Sequence, residues 1–486
     1  MIINRSFKDF KFRHRSKKNQ IIYTSKKVKN DEEVLNLIDN FLIEKNSFIF
    51  ESVEKGRIKG RYTIFGKNPD KIWEFDNDNS YLIRDKKKIK LKEKPDKLIE
   101  KIIEEFKFDT PKKLPKICSL ISGYFSYDSI RYVEKIPNNC KNDLNLPDVR
   151  LLRPRTLVIY DNLKKEIFYI INIFNDEKIS DYQKKFDNIK NELFKLLTQS
   201  SIKSFNKKIL KKSKHIRVKS NTPKSKFLGM VKKAKEYIKL GDIFQVVLSQ
   251  RFEAKLTKSP LDIYKKLRTT NPSPFMFFFN FNDFQIIGAS PEILVRLRDK
   301  KITIRPIAGT RPRGRTIKED LYYEKDLLRD KKELSEHLML LDLGRNDAGK
   351  VSKINTVKVT ESFIIEKYSH VMHIVSNVVG QYNKKISKFK SLLAGFPAGT
   401  VSGAPKIRAM EIIDELETTR RKVYAGGIGY FSANGEFDTC IALRTAVVKN
   451  KKFYVQAGAG IVADSKPINE YMETVNKAKA LINALR

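Results

Sequence analysis

"QAGAGIVADSKPINEYMETVNKAKAL", residues 456–481, is the run on which the reading of this chain turns. Its start continues the strand-like "KKFYV" of residues 451–455. There Gly458 and Gly460 flank Ala459, so backbone N–H groups could approach an anion with no side chain in the way. A tight turn between strands would need glycine as well, and spacing alone leaves both readings open. The second part, "NEYMETVNKAKAL", has helical spacing and puts Glu470 and Glu473 on one face.

The same acidic spacing occurs upstream in "ELSEHLML", residues 333–340, where Glu333 and Glu336 share a helical face amid apolar residues. Two helices that each offer Glu-x-x-Glu could gather four carboxylates, the oxygen ligands that a hard cation such as Mg²⁺ prefers. Either pair alone could instead face water with lysine partners four residues away, and nothing in the spacing shows that the two helices meet. "PIAGT" and "FPAGTVSGAPK" offer Thr310 and Thr400 beside further glycines. Arg444, in "DTCIALRTAV", sits in an apolar strand-like run where a cation is costly unless it meets a carboxylate. Together these segments outline an anion pocket beside a metal.

Composition narrows the classes. The chain has 486 residues, 41% of them hydrophobic, enough for a large core or two ordinary domains. No apolar run approaches the ~18 residues needed to cross a bilayer, and the N-terminus has no apolar signal region. The basic start "MIINRSFKDFKFRHRSKK" has some transit-peptide character, but Asp9 and the scarcity of Ser and Ala argue against one, so a cytoplasmic protein without membrane partners is expected. Cys118, Cys140 and Cys440 have neither metal-ligand spacing nor an even count. The formal charge of +41 points to nucleic acid at first sight. Its lysines are spread over nearly every segment without an aromatic-interleaved basic stripe, and no nucleic-acid partner is expected.

Residues 19–199 mix helix signals ("DEEVLNLIDNFLI") with strand signals ("LISGYFSYDSI", "TLVIYDN"). Residues 200–226 contain no acid and are rich in Lys and Ser, as expected of a solvated connection. Beyond them, "FLGMVKKAKEYIKLGDIFQVVLSQRFEAKL" reads as an amphipathic helix, a Gly-Asp turn and a long strand.

Taken in order, "PIAGTRPRG", "ELSEHLMLLDLGRND", "FPAGTVSGAPKIRAMEIIDELE", "YAGGIGYF", "DTCIALRTAV" and the opening run closely resemble the chorismate-utilising enzymes, and within them the component I subunits of anthranilate synthases. The resemblance is strong over 219–486, implied to be the chorismate-binding catalytic region, and weaker over 20–165, implied to carry a tryptophan pocket. It implies an α/β fold (α+β type) of large, mostly antiparallel sheets packed together and flanked by helices.

It also implies roles. Mg²⁺ would be held by Glu336 and Glu473, with Glu333 and Glu470 as neighbours. Chorismate would meet Gly309, Thr310, Tyr424, Arg444, the Gly458–Ala459–Gly460 turn and Lys477. Glu292, in "ASPEILVR", matches the general acid that protonates the departing ring hydroxyl, Thr400 joins the catalytic set, and His373, in "YSHVMHIVS", matches the histidine tied to pyruvate elimination. Relatives that activate water carry a lysine where this chain has Gln245, and those that form a lysine adduct carry it where this chain has Ala308. Ammonia attacking ring C2, and anthranilate with pyruvate as products, are therefore expected. A separate glutamine amidotransferase subunit (component II) would supply the ammonia, since no Cys-His-Glu glutaminase segment follows "NKAKALINALR". "NSFIFES" and "GRYTIFG", with Ser52 and with Pro274, Phe275 and Met276 of "NPSPFMFFF", match the pocket through which tryptophan inhibits such enzymes.

Overall fold

The computed structural model describes the chain except residues 1, 30, 55–56, 86, 203–215 and 369–370. Strand-forming runs rich in Ile, Val and Phe build one hydrogen-bonded network of two packed halves. The halves share two long strands, Tyr62–Asp76 and Val149–Asp161, which run antiparallel from residue pair Tyr62/Asp161 to Phe75/Val149. A register shift between Pro69 and Lys71 marks where they pass from one sheet to the other.

From the Tyr62 end the first sheet extends through Ser47–Glu51, Phe275–Asn280, Gln285–Ser290, Thr445–Lys449 and Lys452–Ile461 to Gln245–Lys255. From the Phe75 end the second extends through Leu120–Phe125, Gly427–Ser432, Phe437–Ile441, Ile293–Arg298 and Lys301–Ile304 to Val371–Gln381. Each sheet contains strands from both 20–165 and 219–486. Alternation sends Phe48, Phe277, Phe279 and Ile286 of the first sheet inward against Tyr124, Leu152, Ile428 and Cys440 of the second. The opposite faces are covered by helices. Glu32–Phe41, Tyr182–Ser201 and Pro467–Ala484 help to bury the outer face of the first sheet, and Pro95–Glu105 and Lys388–Ala394 that of the second. The α/β architecture with antiparallel sheets and flanking helices is thus as expected.

Local readings meet mixed outcomes. "DEEVLNLIDNFLI" and the helix, turn and strand after residue 226 form as read, with helix Lys224–Lys239, Gly241 at φ +84° and strand Gln245–Lys255. Of "LISGYFSYDSI" only Leu120–Phe125 is strand, and Tyr127–Tyr132 turns into a 3₁₀ helix. Of the connection expected at 200–226, residues 203–215 lie outside the described residues, as do residues 369–370 of the segment around His373; the remainder includes the short strand Val218–Ser220 and the start of helix Lys224–Lys239. "QAGAGIV" forms no turn but the end of strand Lys452–Ile461, and neither Gly458 nor Gly460 has a positive φ. "DTCIALRTAV" is two strands, Phe437–Ile441 and Thr445–Lys449, broken at Arg444, whose φ of +46° is left-handed.

Phe277 is fully buried between the sheets, and its ring covers the cross-strand Gly288, leaving no room there for a Cβ. Phe277→Ala is expected to lower unfolding stability by about 3–5 kcal/mol in denaturant titration.

Candidate active site

Two segments cross from one sheet to the other side by side. The chain leaves the first sheet after Ser290 and enters the second at Ile293; it leaves the second after Ile441 and re-enters the first at Thr445. The crossings are hydrogen-bonded to each other, Ala289 N–H to Arg444 O at 3.1 Å and Ile441 N–H to Glu292 O at 3.1 Å. The backbone therefore holds Glu292 and Arg444 on adjacent crossings.

Their electrostatics are opposite. Glu292 is 6% exposed, and its carboxyl accepts one hydrogen bond, from the Thr400 hydroxyl at 3.1 Å. Burial pushes its pKa up to about 8, only partly opposed by Thr400, so the group carries a proton at neutral pH. Arg444 is crowded by protein yet reached by solvent, and no carboxylate pairs with it among the described residues. Burial lowers its pKa from the ordinary value, and an anionic ligand would relieve that cost.

His373 lies on strand Val371–Gln381, two strands along the second sheet from Ile293–Arg298. Its Nδ1 is 2.9 Å from Gly309 O and 3.1 Å from Thr310 Oγ1. A carbonyl can only accept, so Nδ1 carries the hydrogen and Nε2 is the basic nitrogen. Burial holds the ring's pKa below the usual value, which keeps it neutral. Gly309 adopts φ +64° at a break in the pairing between Ala308 and Arg311, which a side chain would resist.

The acidic helices Lys331–Gly349 and Pro467–Ala484 each send a side chain toward the end of strand Lys452–Ile461, Glu336 by way of Gln245 beside Gly460 and Lys477 at Gly458. A Cβ on Gly460 would come within 2.5 Å of Gln245 Nε2, which donates to Glu336 Oε1 at 3.1 Å. A Cβ on Gly458 would come within 2.7 Å of the Tyr424 hydroxyl, while Lys477 Nζ donates to Gly458 O at 3.0 Å and pairs with Glu473 at 2.6 Å. These glycines are thus required for space rather than for a turn. Ala459 between them pairs with Leu248, and its buried side chain lies on the other face. Glu333 and Glu470 both have raised pKa values, first through burial and then through Glu336 and Glu473 respectively. Lys332 of the first acidic helix favours the charged form of Glu470 on the second. Glu333 is also within 3.4 Å of Arg311, whose guanidinium is shared with Asp326 and Asp330. His337, in the acidic segment 333–340, is buried, bonds Ser376 at 2.7 Å and has its pKa pulled down to about 4 by burial, which makes it a packing residue.

Among the described residues no three His, Cys, Asp or Glu side chains stand together as a finished ligand set. Each helix offers two carboxylates, Glu333 with Glu336 and Glu470 with Glu473, oxygen donors of the type that a hard cation such as Mg²⁺ takes together with waters and substrate oxygens.

The sequence profile described as "chorismate binding enzyme" matches residues 45–483. The chain belongs to this family. It is 47% identical over 487 residues to anthranilate synthase component 1 of Cereibacter sphaeroides, covering 99% of this chain and 97% of that one. It is 45% identical to the protein of the same name from Acetivibrio thermocellus, covering 93% of each. The solved structure of anthranilate synthase component I from Streptococcus pneumoniae TIGR4 matches with a TM-score of 0.78 at 39% identity, over 88% of this chain and 93% of that one.

Ser52, Pro274, Phe275 and Met276 are not at the carboxylates; they line a cavity of about 770 Å³. Its wall also includes Pro291, beside Glu292, and Tyr368, whose ring lies edge-on to His373 at 5.6 Å and whose hydroxyl donates to Glu366 at 2.7 Å. Sequence reasoning passed over Tyr368 and Arg311, although both lie in or beside segments already singled out, in "YSHVMHIVS" and "PIAGTRPRG". An aromatic beside a candidate catalytic histidine was the signal available for Tyr368.

Between the unfolded carboxyl's range near 4.5 and about 8, the folded state alone holds the Glu292 proton. The contribution of this group to stability must therefore fall as pH rises through that window. Glu292→Gln, which stays neutral, is expected to gain on the wild type in denaturant stability from about pH 5 to 8 and no further above that.

Proposed function

We propose that the chain is the chorismate-converting component of an anthranilate synthase, acting on chorismate and ammonia. The observation that carries this reading is the buried Glu292, its carboxyl bonded by Thr400 and its pKa raised by burial, on a crossing hydrogen-bonded to that of Arg444, which meets no carboxylate among the described residues. Gln245 and Ala308 stand where a water-activating or adduct-forming lysine would direct the chemistry elsewhere. The high identity to relatives named anthranilate synthase component 1 supports it.

Arg444 and Lys477 bind the carboxylates of the dianionic substrate, beside the strand end at Gly458 and Gly460 that makes room for Tyr424 and Gln245. Tyr424, Gly309 and Thr310 orient the ring. Ammonia forms the C2–N bond, the two ring double bonds shift, and the C4–O bond breaks; the oxygen leaves as water with the proton of Glu292, kept oriented by Thr400. The resulting aminodeoxyisochorismate loses its C2 proton, for which neutral His373 is the available base. The C3–O bond then breaks, and the enolpyruvate released takes up a proton to become pyruvate. Glu336 and Glu473, with Glu333 and Glu470 beside them, would hold Mg²⁺, whose positive charge lowers the energy of negative charge developing on the substrate carboxylate.

Ammonia comes from glutamine through a separate amidotransferase subunit, and the reaction opens tryptophan biosynthesis in the cytoplasm. No helix among the described residues is long and apolar enough to cross a membrane, in keeping with that location. The cavity lined by Ser52 and Met276 accommodates tryptophan as a feedback inhibitor, and its shared wall at Tyr368 offers a path to His373.

Purified protein with chorismate, Mg²⁺ and ammonium is expected to release fluorescent anthranilate. Product formed without ammonium would indicate a water-using reaction instead, and a non-fluorescent amino product a 4-amino isomer. Glu336→Gln and Glu473→Gln are each expected to abolish turnover and to weaken Mg²⁺ binding in calorimetry; wild-type values in both would overturn the metal assignment. Tryptophan is expected to slow the wild type, and Ser52→Phe, which fills the cavity, to relieve that inhibition.

A further inference from the structure

Behind the cleft lies a cation whose hydrogen bonds go to none of the groups assigned to the substrate. Arg421 has a side-chain exposure of 1%, and all of its hydrogen bonds go inward. Its Nε and Nη2 form a two-pronged pair with Glu417 at 3.0 and 2.6 Å. Nη1 donates to Val401 O at 2.7 Å and Nη2 to Val247 O at 2.6 Å. Its guanidinium lies over the ring of Tyr127 at 4.8 Å and that of Tyr424 at 5.5 Å. Glu417 in turn accepts from the backbone and hydroxyl of Ser249 at 2.7 and 2.8 Å.

Each of these contacts lies one step behind a cleft group. Val401 follows Thr400, which bonds Glu292. Val247 and Ser249 are the strand partners of Gly460 and Gly458. Tyr424 closes over Gly458. A buried ion pair costs desolvation and is a poor device for stability alone, since apolar residues could fill the same volume. A planar fork with five donors in fixed directions is, however, suited to locking several backbone segments at set angles.

We propose that Arg421, gripped by Glu417, is a positioning residue that holds the Thr400 turn, Tyr424 and the strand opposite Gly458 and Gly460 in register, so that the Thr400 hydroxyl reaches Glu292. The proposal rests on the assignment of Glu292 as proton donor in the reaction above. Lysine would keep the charge and lose the fork, so Arg421→Lys separates geometry from charge.

The experiment is a double-mutant cycle on the full chain with Arg421→Lys, Thr400→Ala and both, assayed with chorismate, Mg²⁺ and ammonium over pH 6–10, with chorismate binding measured in parallel. Arg421→Lys is expected to lower kcat by about 10- to 100-fold while KM changes by less than about 3-fold. The alkaline limb of kcat is expected to move upward, as in Thr400→Ala, because the lost hydroxyl bond favoured the ionised carboxylate. The double variant should be little slower than the worse single one. Independent losses that multiply, an unshifted limb, or wild-type kcat in Arg421→Lys would each overturn the proposal. If Arg421→Lys does not fold, Glu417→Gln, which weakens the same grip, takes its place in the cycle with the same expected and contrary results. A wild-type protein that binds chorismate but gives no anthranilate would count against the reaction assignment. Loss of the Thr400 coupling in an active wild type would count against Arg421 alone.

Discussion

The two backbone hydrogen bonds between adjacent sheet crossings, Ala289 to Arg444 and Glu292 to Ile441, are the constraint on which the site depends. A strand that changes sheets must interrupt its ladder, and an interrupted ladder leaves N–H and C=O groups that need partners. Here two interruptions satisfy each other. Because the crossings are tied through the main chain, the backbones of Glu292 and Arg444 are held on neighbouring segments while their side chains do not pair. Direct pairing would ionise Glu292 and neutralise Arg444, removing the proton from one and the free charge from the other. The left-handed φ of Arg444 is consistent with a backbone held there against its own preference.

Charge placement elsewhere follows the same separation. Arg311 holds three carboxylates, yet Glu333 still has a raised pKa, so burial and the nearby Glu336 outweigh that cation. The Mg²⁺ proposed above would add positive charge where Arg311 leaves the charged form of Glu333 disfavoured. Lys477 contacts Glu473 and a backbone carbonyl and does not enclose the acid, whose side chain stays 44% exposed to the cleft.

Much of this was legible in the sequence. The acidic faces of both helices follow from three-residue spacing, and strand-rich runs give the sheets. What failed did so for identifiable reasons. "DTCIALRTAV" has continuous β-propensity, which says nothing about a change of sheet at Arg444, because that break is imposed by the neighbouring crossing. Gly458 and Gly460 read as turn residues because glycine more often supplies φ freedom than space; the side chains that need the space, Gln245 and Tyr424, are distant in sequence. Arg421 sits in "TTRRKVYAGG", where three consecutive basic residues suggest a solvated surface, yet Arg421 and Lys422 are 3% and 1% exposed. Burial of charge depends on partners such as Glu417 and Asp148, and pairing of that kind leaves no periodic trace.

The interleaving of the two sequence regions bears on how the chain can be made. Ser47–Glu51 finds one of its strand neighbours in Phe275–Asn280, and Leu120–Phe125 finds one of its own in Gly427–Ser432. During synthesis the early strands must leave the ribosome long before those partners exist, with apolar edges open to other chains. Folding of the sheets as described must await most of the polypeptide, which makes nascent protein a natural client for chaperones and leaves little prospect of dividing the enzyme into independently expressed halves.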